Sequence, residues 1–176
     1  MKGHKILIAY FSLKGDTYNI GMVEEGNTEI LANYISNYIK GDLYHVVGDN
    51  KYPEDHMEIV SQAKKEMKRN LRPKLVNQIN NFEQYDIIFI GYPIWYKIPP
   101  MAVYSFLENF DFSNKNVYLF CTHEGSGQSG TFSLIQNILN KAKVSTNGLV
   151  MKGTDTRESN AKEKVEYWRK NWVFKC

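Results

Sequence analysis

Hydroxyl, amide and glycine residues occur at two points near the beginning of the chain, and together they could hold an anion. Ser12 follows the apolar run 6–11, and Gly26-Asn27-Thr28 opens a long amphipathic segment. A strand that leads into such a loop at a helix N-terminus offers backbone N–H groups, side-chain donors and the positive end of the helix dipole. The pattern predicts a phosphate site whose two halves are separated by residues 13–25. The alternative for Asn27 is a role as helix N-cap alone.

A second loop combines aromatic residues with prolines and follows the apolar run 87–90. Its central residues are Pro93, Ile94, Trp95, Tyr96 and Lys97. Prolines restrict the backbone, so the two aromatic side chains could present a preorganised surface to a flat ring. The alternative is that Trp95 packs beneath the helix that follows.

A third loop is rich in glycine and follows the apolar run 117–121. Its G-x-G-x-x-G spacing is typical of dinucleotide sites, but only about twenty residues follow Asp155, too few for the further strand and helix units that such a fold needs. We therefore interpret the glycines as allowing the backbone to come close to a ligand. His123 could donate a hydrogen bond or a proton to a ring whose charge changes, or make only a structural hydrogen bond. The residues at the start of the loop are Thr122, His123, Glu124, Gly125, Ser126 and Gly127.

The histidine and cysteine residues do not predict a metal site or a disulfide framework. The zinc-protease pattern needs a second histidine four residues after His123, and that position is Gly127. The two cysteines are Cys121, within an apolar run, and Cys176. We expect Cys121 to be a small buried hydrophobic residue, and two cysteines so placed favour a reducing compartment.

The composition is typical of one packed globular domain, which we expect to extend over residues 1–176. Hydrophobic residues make up 43% and charged residues 23% of the chain, as is ordinary for such a domain. The net charge of +3 is too small to indicate nucleic-acid binding, which requires a clustered basic face. The chain begins with charged residues that lead directly into a short apolar run, unlike a secretory signal, and no segment is long enough to span a membrane. A cytoplasmic location is therefore expected.

Apolar runs alternate with helical patterns along the chain. Continuous apolar runs are typical of strands that are covered on both faces, as in parallel sheets. The alternation predicts a doubly wound α/β protein, a three-layer sandwich around a five-stranded parallel sheet. Residues 141–148 are expected to be a connection that leads into the fifth strand. The predicted strands are 6–11, 43–47, 87–90, 117–121 and 149–151, and the predicted helices are 30–39, 54–69, 101–110, 132–139 and 160–173.

The strand order 2-1-3-4-5 would bring all three loops to one edge of the sheet. Ligands of open parallel sheets bind outside the carboxyl ends of the strands, so one ligand could touch the three loops together. A phosphate at one end and a large planar ring at the other describe FMN better than a dinucleotide. They also describe it better than a nucleoside triphosphate, for which a P-loop lysine is missing.

The chain resembles the flavodoxin-like FMN proteins, in particular the branch in which Tyr-Phe-Ser is separated by an insertion from Gly-Asn-Thr-Glu. The resemblance covers about residues 5–155, and its most specific motifs are Gly91-Tyr92-Pro93-Ile94-Trp95 and Cys121-Thr122-His123-Glu124-Gly125-Ser126-Gly127. It implies that Ser12, Gly26, Asn27 and Thr28 hold the FMN phosphate. It also implies that Pro93, Ile94, Trp95, Tyr96 and Lys97 line the flavin ring, and that residues 122–127 approach the pyrimidine edge of that ring.

Lys97 departs from the pattern of the family, in which this position is commonly glycine. The backbone flip that glycine allows beside a flavin is therefore in question at this position. A cation near the ring would favour the reduced flavin, so we expect Lys97→Gly to lower the reduction potential.

The resemblance leaves three functions open. The first is an oxidoreductase that takes electrons from NADH or NADPH and passes them to a quinone or a similar small acceptor. The second is a flavodoxin-type electron carrier that docks to redox partner proteins, and the third is an interaction module that has lost its cofactor. Carriers of this fold usually resemble acidic proteins, so the positive net charge favours the enzyme. Residues 13–25 could cover the cofactor, shape a substrate entrance, or form a surface excursion.

Overall fold

A five-stranded parallel sheet forms the centre of the computed structural model, which describes residues 4–172. The strand order is β4-β1-β5-β6-β7. Because β2 and β3 form a separate hairpin, this order is the predicted 2-1-3-4-5, and the predicted α/β fold is confirmed. In the described residues the strands are β1 (Ile6–Tyr10), β2 (Gly15–Thr17), β3 (Gly21–Val23), β4 (Asp42–His45), β5 (Ile87–Pro93), β6 (Asn116–His123) and β7 (Lys143–Lys152).

All five predicted helices are confirmed, with shifts of a few residues at their ends. The second begins at residue 56 because the side chain of Asp55 caps it, accepting the N–H of Glu58 at 2.9 Å. The predicted end of the last helix, Val173, lies outside the described residues, as does Cys176. The helices are α1 (Asn27–Ile39), α2 (His56–Lys68), α3 (Met101–Asn109), α4 (Thr131–Ile138) and α5 (Ala161–Trp172), with short 3-10 helices at Phe82–Gln84 and Thr154–Arg157.

Hydrophobic cores fill both faces of the sheet. On one face, Phe106 of α3 and Ile135 of α4 pack in the same cluster as Ile88 and Ile90. The opposite face packs against α1 and α5, where Phe89 of β5 shares a cluster with Leu31 and Trp168, among others. Strands that are buried on both sides gain from apolar residues at every position, which explains why the central strands are continuous apolar runs. Among residues 4–172, none of the helices combines the length and the apolar character that crossing a membrane would require.

The fifth strand of the sheet is longer than the sequence predicts. Residues 143–145 pair with 116–118, and residues 149–152 pair with 120–123, with a register irregularity between Tyr118 and Phe120. The interpretation of 141–148 as a connection is therefore wrong over 143–148. These residues are largely polar because β7 is an edge strand whose first half is partly exposed, so an apolar run is missing there.

Residues 13–25 form an antiparallel hairpin, β2 paired with β3, which does not join the main sheet. Its turn contains Asn19, whose φ is 60°, in the left-handed region that asparagine tolerates. The N–H of Asp16 donates to the carbonyl of Glu54 at 3.2 Å. The ring of Tyr18 lies 5.6 Å from that of His56. The hairpin therefore contacts the beginning of α2, above the carboxyl edge of the sheet.

Candidate functional site

A cleft of about 360 Å³ opens at the carboxyl edge of the sheet, within the usual size range of small-molecule sites. It is bounded by the loops that follow β1, β5 and β6, by the beginning of α1, by α2 and by the hairpin. The structure thus brings all three predicted loops to one space. Among the predicted site residues, those that line the cleft are Ser12, Asn27, Thr28, Pro93, Ile94, Trp95, Tyr96, Thr122, His123 and Glu124. Those that do not are Gly26, Lys97, Gly125, Ser126 and Gly127.

The two halves of the first loop meet at Gly26. Its φ of −73° and ψ of 156° suit any residue, but an added Cβ would lie 2.2 Å from both the Leu13 carbonyl oxygen and Ser12 Oγ. Glycine is therefore needed here for close approach. Gly26 has no side chain to cap α1, and the buried Ser12 hydroxyl instead accepts the N–H of Glu29 at 3.2 Å. The closed loop places Ser12 and the first amides of α1 side by side.

Two buried hydroxyl groups connect the first loop to the third. Thr28 Oγ1 and Thr122 Oγ1 are 2.8 Å apart and both side chains are buried. Two hydroxyl groups carry two protons, and the bond between them uses one. The other proton remains for a further acceptor, and both residues line the cleft.

The Asn27 side chain is oriented by residues that sequence reasoning missed. Its Oδ1 accepts from Arg157 Nε at 3.2 Å. The Thr156 hydroxyl lies 3.5 Å from the same oxygen, but it donates its one proton to the carbonyl oxygen of Gly153 at 2.6 Å. The Nη2 group of Arg157 also donates to the carbonyl oxygen of Glu25. The carboxyl ends of parallel strands meet at one edge of the sheet, so the loop after β7 reaches the same edge as the other loops, and this placement could have indicated the contact.

Trp95 packs on the core and also lines the cleft, so the structure combines the two interpretations of this residue. Its ring meets the ring of Phe11 edge-on at 5.3 Å and that of Tyr52 at 5.4 Å. The Tyr52 hydroxyl donates at 2.6 Å to Glu66, a buried carboxylate that also accepts from two side-chain amides. Burial and the Glu66 carboxylate raise the pKa of Tyr52. This network beneath the aromatic loop leaves no periodic signal in the sequence.

A tight turn holds the rest of the aromatic loop. Trp95 and Ile98 exchange backbone N–H···O bonds of 2.9 and 3.0 Å. Between them, Tyr96 and Lys97 both have positive φ, 48° and 69°, as a type I′ turn requires. The Tyr96 hydroxyl donates to the carbonyl oxygen of Val60 at 3.2 Å, so the turn is attached to α2. Lys97 is exposed and its side chain lies outside the cleft.

One wall of the cleft is apolar and was missed in the sequence. It consists of Ile59, Val60 and Ala63 from α2, with Tyr18 of the hairpin and His56 beside them. The helical spacing of Ile59, Ala63 and Met67 was the available signal. The helix contacts α3 and β2 rather than lying free on the surface.

The third loop offers donors and a neutral histidine to the cleft. The N–H of Gly125 donates to His123 Nδ1 at 2.9 Å, so the proton of the neutral ring is on Nε2. Burial lowers the pKa of His123, Asp155 opposes this shift, and Lys152 adds to it. Burial also raises the pKa of the Glu124 carboxyl, against the effect of Lys152.

The remaining reactive side chains of the described region do not form a site. Cys121 is buried, as predicted, and burial raises the pKa of its thiol to about 12. Within residues 4–172, histidine, cysteine and acidic side chains do not gather in the groups of three that could hold a metal ion.

A doubly wound parallel sheet with this strand order, at whose carboxyl edge the three loops meet, is typical of flavodoxin-like proteins. The chain belongs to the flavodoxin family, because the family model described as Flavodoxin matches residues 5–172. A comparison with proteins of curated function finds no match.

Three solved structures show the same fold. A candidate flavoprotein from Bacteroides eggerthii has a TM-score of 0.75 and 25% identity, over 98% of this chain and 100% of that one. Another from Bacteroides uniformis has a TM-score of 0.74 and 27% identity, over 97% and 100% of the two chains. A flavoprotein from Lactobacillus acidophilus, solved in complex with FMN, has a TM-score of 0.67 and 21% identity, over 94% and 99%.

Proposed function

We propose that the chain binds FMN in the cleft at the carboxyl edge of the sheet. The observation that carries the proposal is that a single cleft is lined both by the first loop, with Ser12, Asn27 and Thr28, and by the aromatic loop, residues 93–96. FMN has a phosphate at one end and a flat ring at the other, so its two ends match the two ends of the cleft. The space that a Cβ on Gly26 would fill is occupied by Ser12 and Leu13, so the loop is tight enough to present its amides together.

Each loop has a distinct role in this proposal. Ser12, Gly26, Asn27 and Thr28 would hold the phosphate with hydroxyl, amide and backbone donors at the positive end of α1. Residues 93–96 would line the flavin ring, and residues 122–127 would contact its pyrimidine edge. His123 Nε2–H is a suitable donor to that edge, because Gly125 already satisfies Nδ1. When bound, FMN supplies the transfer of one or two electrons, while the protein supplies binding, orientation and electrostatics.

We further propose that the protein is an NAD(P)H-dependent oxidoreductase that passes electrons to a quinone or a similar small acceptor. The apolar wall formed by α2 and the hairpin supports this function. It extends the cleft beyond the sheet edge, and pockets of this kind bury flat apolar ligands. The described proton-transfer groups that line the cleft include His123, Glu124, His56 and Asp16, so proton movement at the acceptor would depend on residues of this set.

The second candidate, an electron carrier, is favoured by a different observation. Large apolar side chains are exposed on elements around the cleft, including Tyr18 (50% exposed), Met57 (70%) and Tyr96 (41%). Exposed apolar groups beside a polar surface are typical of sites where partner proteins dock.

An absorbance spectrum tests the cofactor directly. Purified protein is mixed with FMN and desalted, and we expect a retained flavin band in proportion to the protein. If no flavin is retained and no quenching of FMN fluorescence occurs on titration, FMN binding is refuted.

Anaerobic mixing of the FMN-loaded protein with NADH or NADPH separates the two functions. Rapid bleaching of the flavin band, followed by quinone-dependent reoxidation, is expected for the oxidoreductase. Bleaching only by a separate reductase would indicate the carrier. Tyr18→Ala should raise the KM for the quinone, whereas the same change at Tyr167, another exposed tyrosine, which lies on α5, should leave it unchanged.

A further inference from the structure

Arg157 connects the segment that follows β7 to the beginning of α1. It follows β7, in the short 3-10 helix Thr154–Arg157, and it donates to Asn27 Oδ1 and to the carbonyl oxygen of Glu25. Both acceptors belong to the second half of the first loop. The beginning of α1 is therefore held by two side chains, by the Arg157 guanidinium at Glu25 and Asn27 and by the Ser12 hydroxyl at the N–H of Glu29.

These contacts determine which end of the Asn27 amide is available. Its oxygen accepts a hydrogen bond from Arg157 Nε at 3.2 Å. Within residues 4–172 no acceptor takes a hydrogen bond from its Nδ2 group. A side-chain amide that is fixed by its oxygen offers only N–H donors to a ligand, and N–H donors suit an anion.

The packing around Asn27 shows that this arrangement is built into the fold. Thr156 is fully buried beside it. A Cβ on Gly153 would lie 2.0 Å from Glu124 Oε1 and 2.4 Å from Asn27 Nδ2, so the amide nitrogen, the Glu124 carboxylate and the backbone after β7 are packed together. Asn27 is therefore enclosed by residues 153–157 and has little freedom to turn.

Charge gives Arg157 a second effect. Glu25 and Glu29 flank the beginning of α1, and Glu29 lies in its first turn. Their carboxylates would repel a phosphate dianion placed there. Two of the five N–H donors of the guanidinium are engaged, one of them by the main-chain carbonyl of Glu25, so its positive charge lies at this end of α1 and opposes that repulsion.

We propose that Arg157 is a positioning residue that makes the first loop selective for a phosphate monoester dianion. It does so by fixing the Asn27 amide with its donors toward the ligand and by placing a positive charge beside the acidic start of α1. The inference rests on the proposed binding of FMN. It predicts a specific preference for FMN over riboflavin, which has the same ring but no phosphate.

The test is a comparison of dissociation constants for FMN and riboflavin, measured by quenching of flavin fluorescence. Arg157→Gln removes the charge, and Lys162→Gln makes the same change on α5, where Lys162 lies over the ring of Tyr34. Loss of a charge-assisted hydrogen bond and of the fixed amide should weaken FMN binding about 10- to 100-fold. Riboflavin binding should change less than about threefold, and Lys162→Gln should change neither.

A further variant keeps the test decisive if Arg157→Gln is unstable. Arg157→Lys keeps the charge without the planar geometry that reaches two acceptors. It should lower the ratio of the riboflavin constant to the FMN constant. A variant that weakens both ligands equally would show a purely structural role and overturn the proposal.

The failure of this inference differs from the failure of the proposed function. If the wild-type protein binds neither flavin, FMN binding itself is refuted. If it binds FMN and Arg157→Gln binds FMN within twofold of wild type, only the role of Arg157 is refuted.

Discussion

Replacing Gly26 by alanine tests the closed first loop. The backbone angles at Gly26 suit alanine, so the effect of the substitution comes from contact alone. The new methyl group would lie 2.2 Å from the Leu13 carbonyl oxygen and from Ser12 Oγ. A carbon and an oxygen normally approach no closer than about 3.3 Å, so the two halves of the loop must separate by about 1 Å.

The expected cost follows from this overlap. Forcing a methyl group into a packed site costs about 1–3 kcal/mol, and the stiffer unfolded chain of the alanine variant returns about 0.4–1 kcal/mol. We therefore expect Gly26→Ala to lower the free energy of unfolding by about 1–2 kcal/mol. Separation of the loop should also break at least one hydrogen bond to a bound phosphate, weakening FMN binding about tenfold or more.

Urea denaturation of the flavin-free protein measures the first effect, and a fluorescence titration with FMN measures the second. Gly41→Ala is the matched control, since its new methyl group makes only milder contacts, with Ile6 Cγ2 at 3.0 Å, Ile8 Cδ1 at 3.1 Å and the Ile6 carbonyl oxygen at 3.2 Å. It lies just before β4, at the opposite edge of the sheet. If Gly26→Ala and Gly41→Ala have the same free energy of unfolding and the same dissociation constant for FMN, the close contact at Gly26 is not required for FMN binding.

Lys97→Gly should raise the free energy of unfolding by about 0.5–1 kcal/mol in urea, because it relieves a left-handed backbone, and Lys40→Gly, at a φ of 55°, should do the same. The Lys97 side chain lies outside the cleft, so the lower reduction potential that the sequence predicts for Lys97→Gly would have to come from a charge acting at a distance. An unchanged or raised potential of the bound flavin in Lys97→Gly, relative to Lys40→Gly, would count against a tuning role. Because the folded state binds the His123 proton less tightly than the unfolded chain, the free energy of unfolding should fall as pH drops below about 6.5, and His123→Gln should remove that slope. An NMR titration that places the pKa at or above 6.5 would contradict this. Replacing residues 14–23 by two glycines should weaken FMN binding about tenfold, as expected if the hairpin covers about 50 Å² of the ligand. Unchanged affinity and turnover would make the hairpin a surface excursion.

The central strands were predictable because their environment is uniform. Ile88 and Phe89 face opposite sides of the sheet and both are fully buried, so each position of β5 demands an apolar residue. An edge strand has no such uniform demand. The first half of β7 therefore carries serine, threonine and asparagine, which read as a connection.

The candidate cleft was predictable where its lining residues follow strands of the sheet, as Trp95 and Tyr96 follow β5. The contacts of Arg157 and Glu66 were not predictable, because a polar contact between distant segments follows from the three-dimensional path of the chain. The contact of Arg157 with Asn27 spans a sequence separation of 130, and neither residue type indicates the other.

The division of the first loop also links ligand binding to folding. Its parts come from Ser12, from residues 25–28 and from residues 153–157, which meet only when the sheet and α1 have assembled. An unfolded chain therefore has no local segment that could hold the phosphate. A ligand that binds only the folded state stabilises it by RT ln(1 + [L]/Kd), about 2.7 kcal/mol at a hundredfold excess over Kd. The proposed binding of FMN would therefore raise the free energy of unfolding with the logarithm of the free flavin concentration.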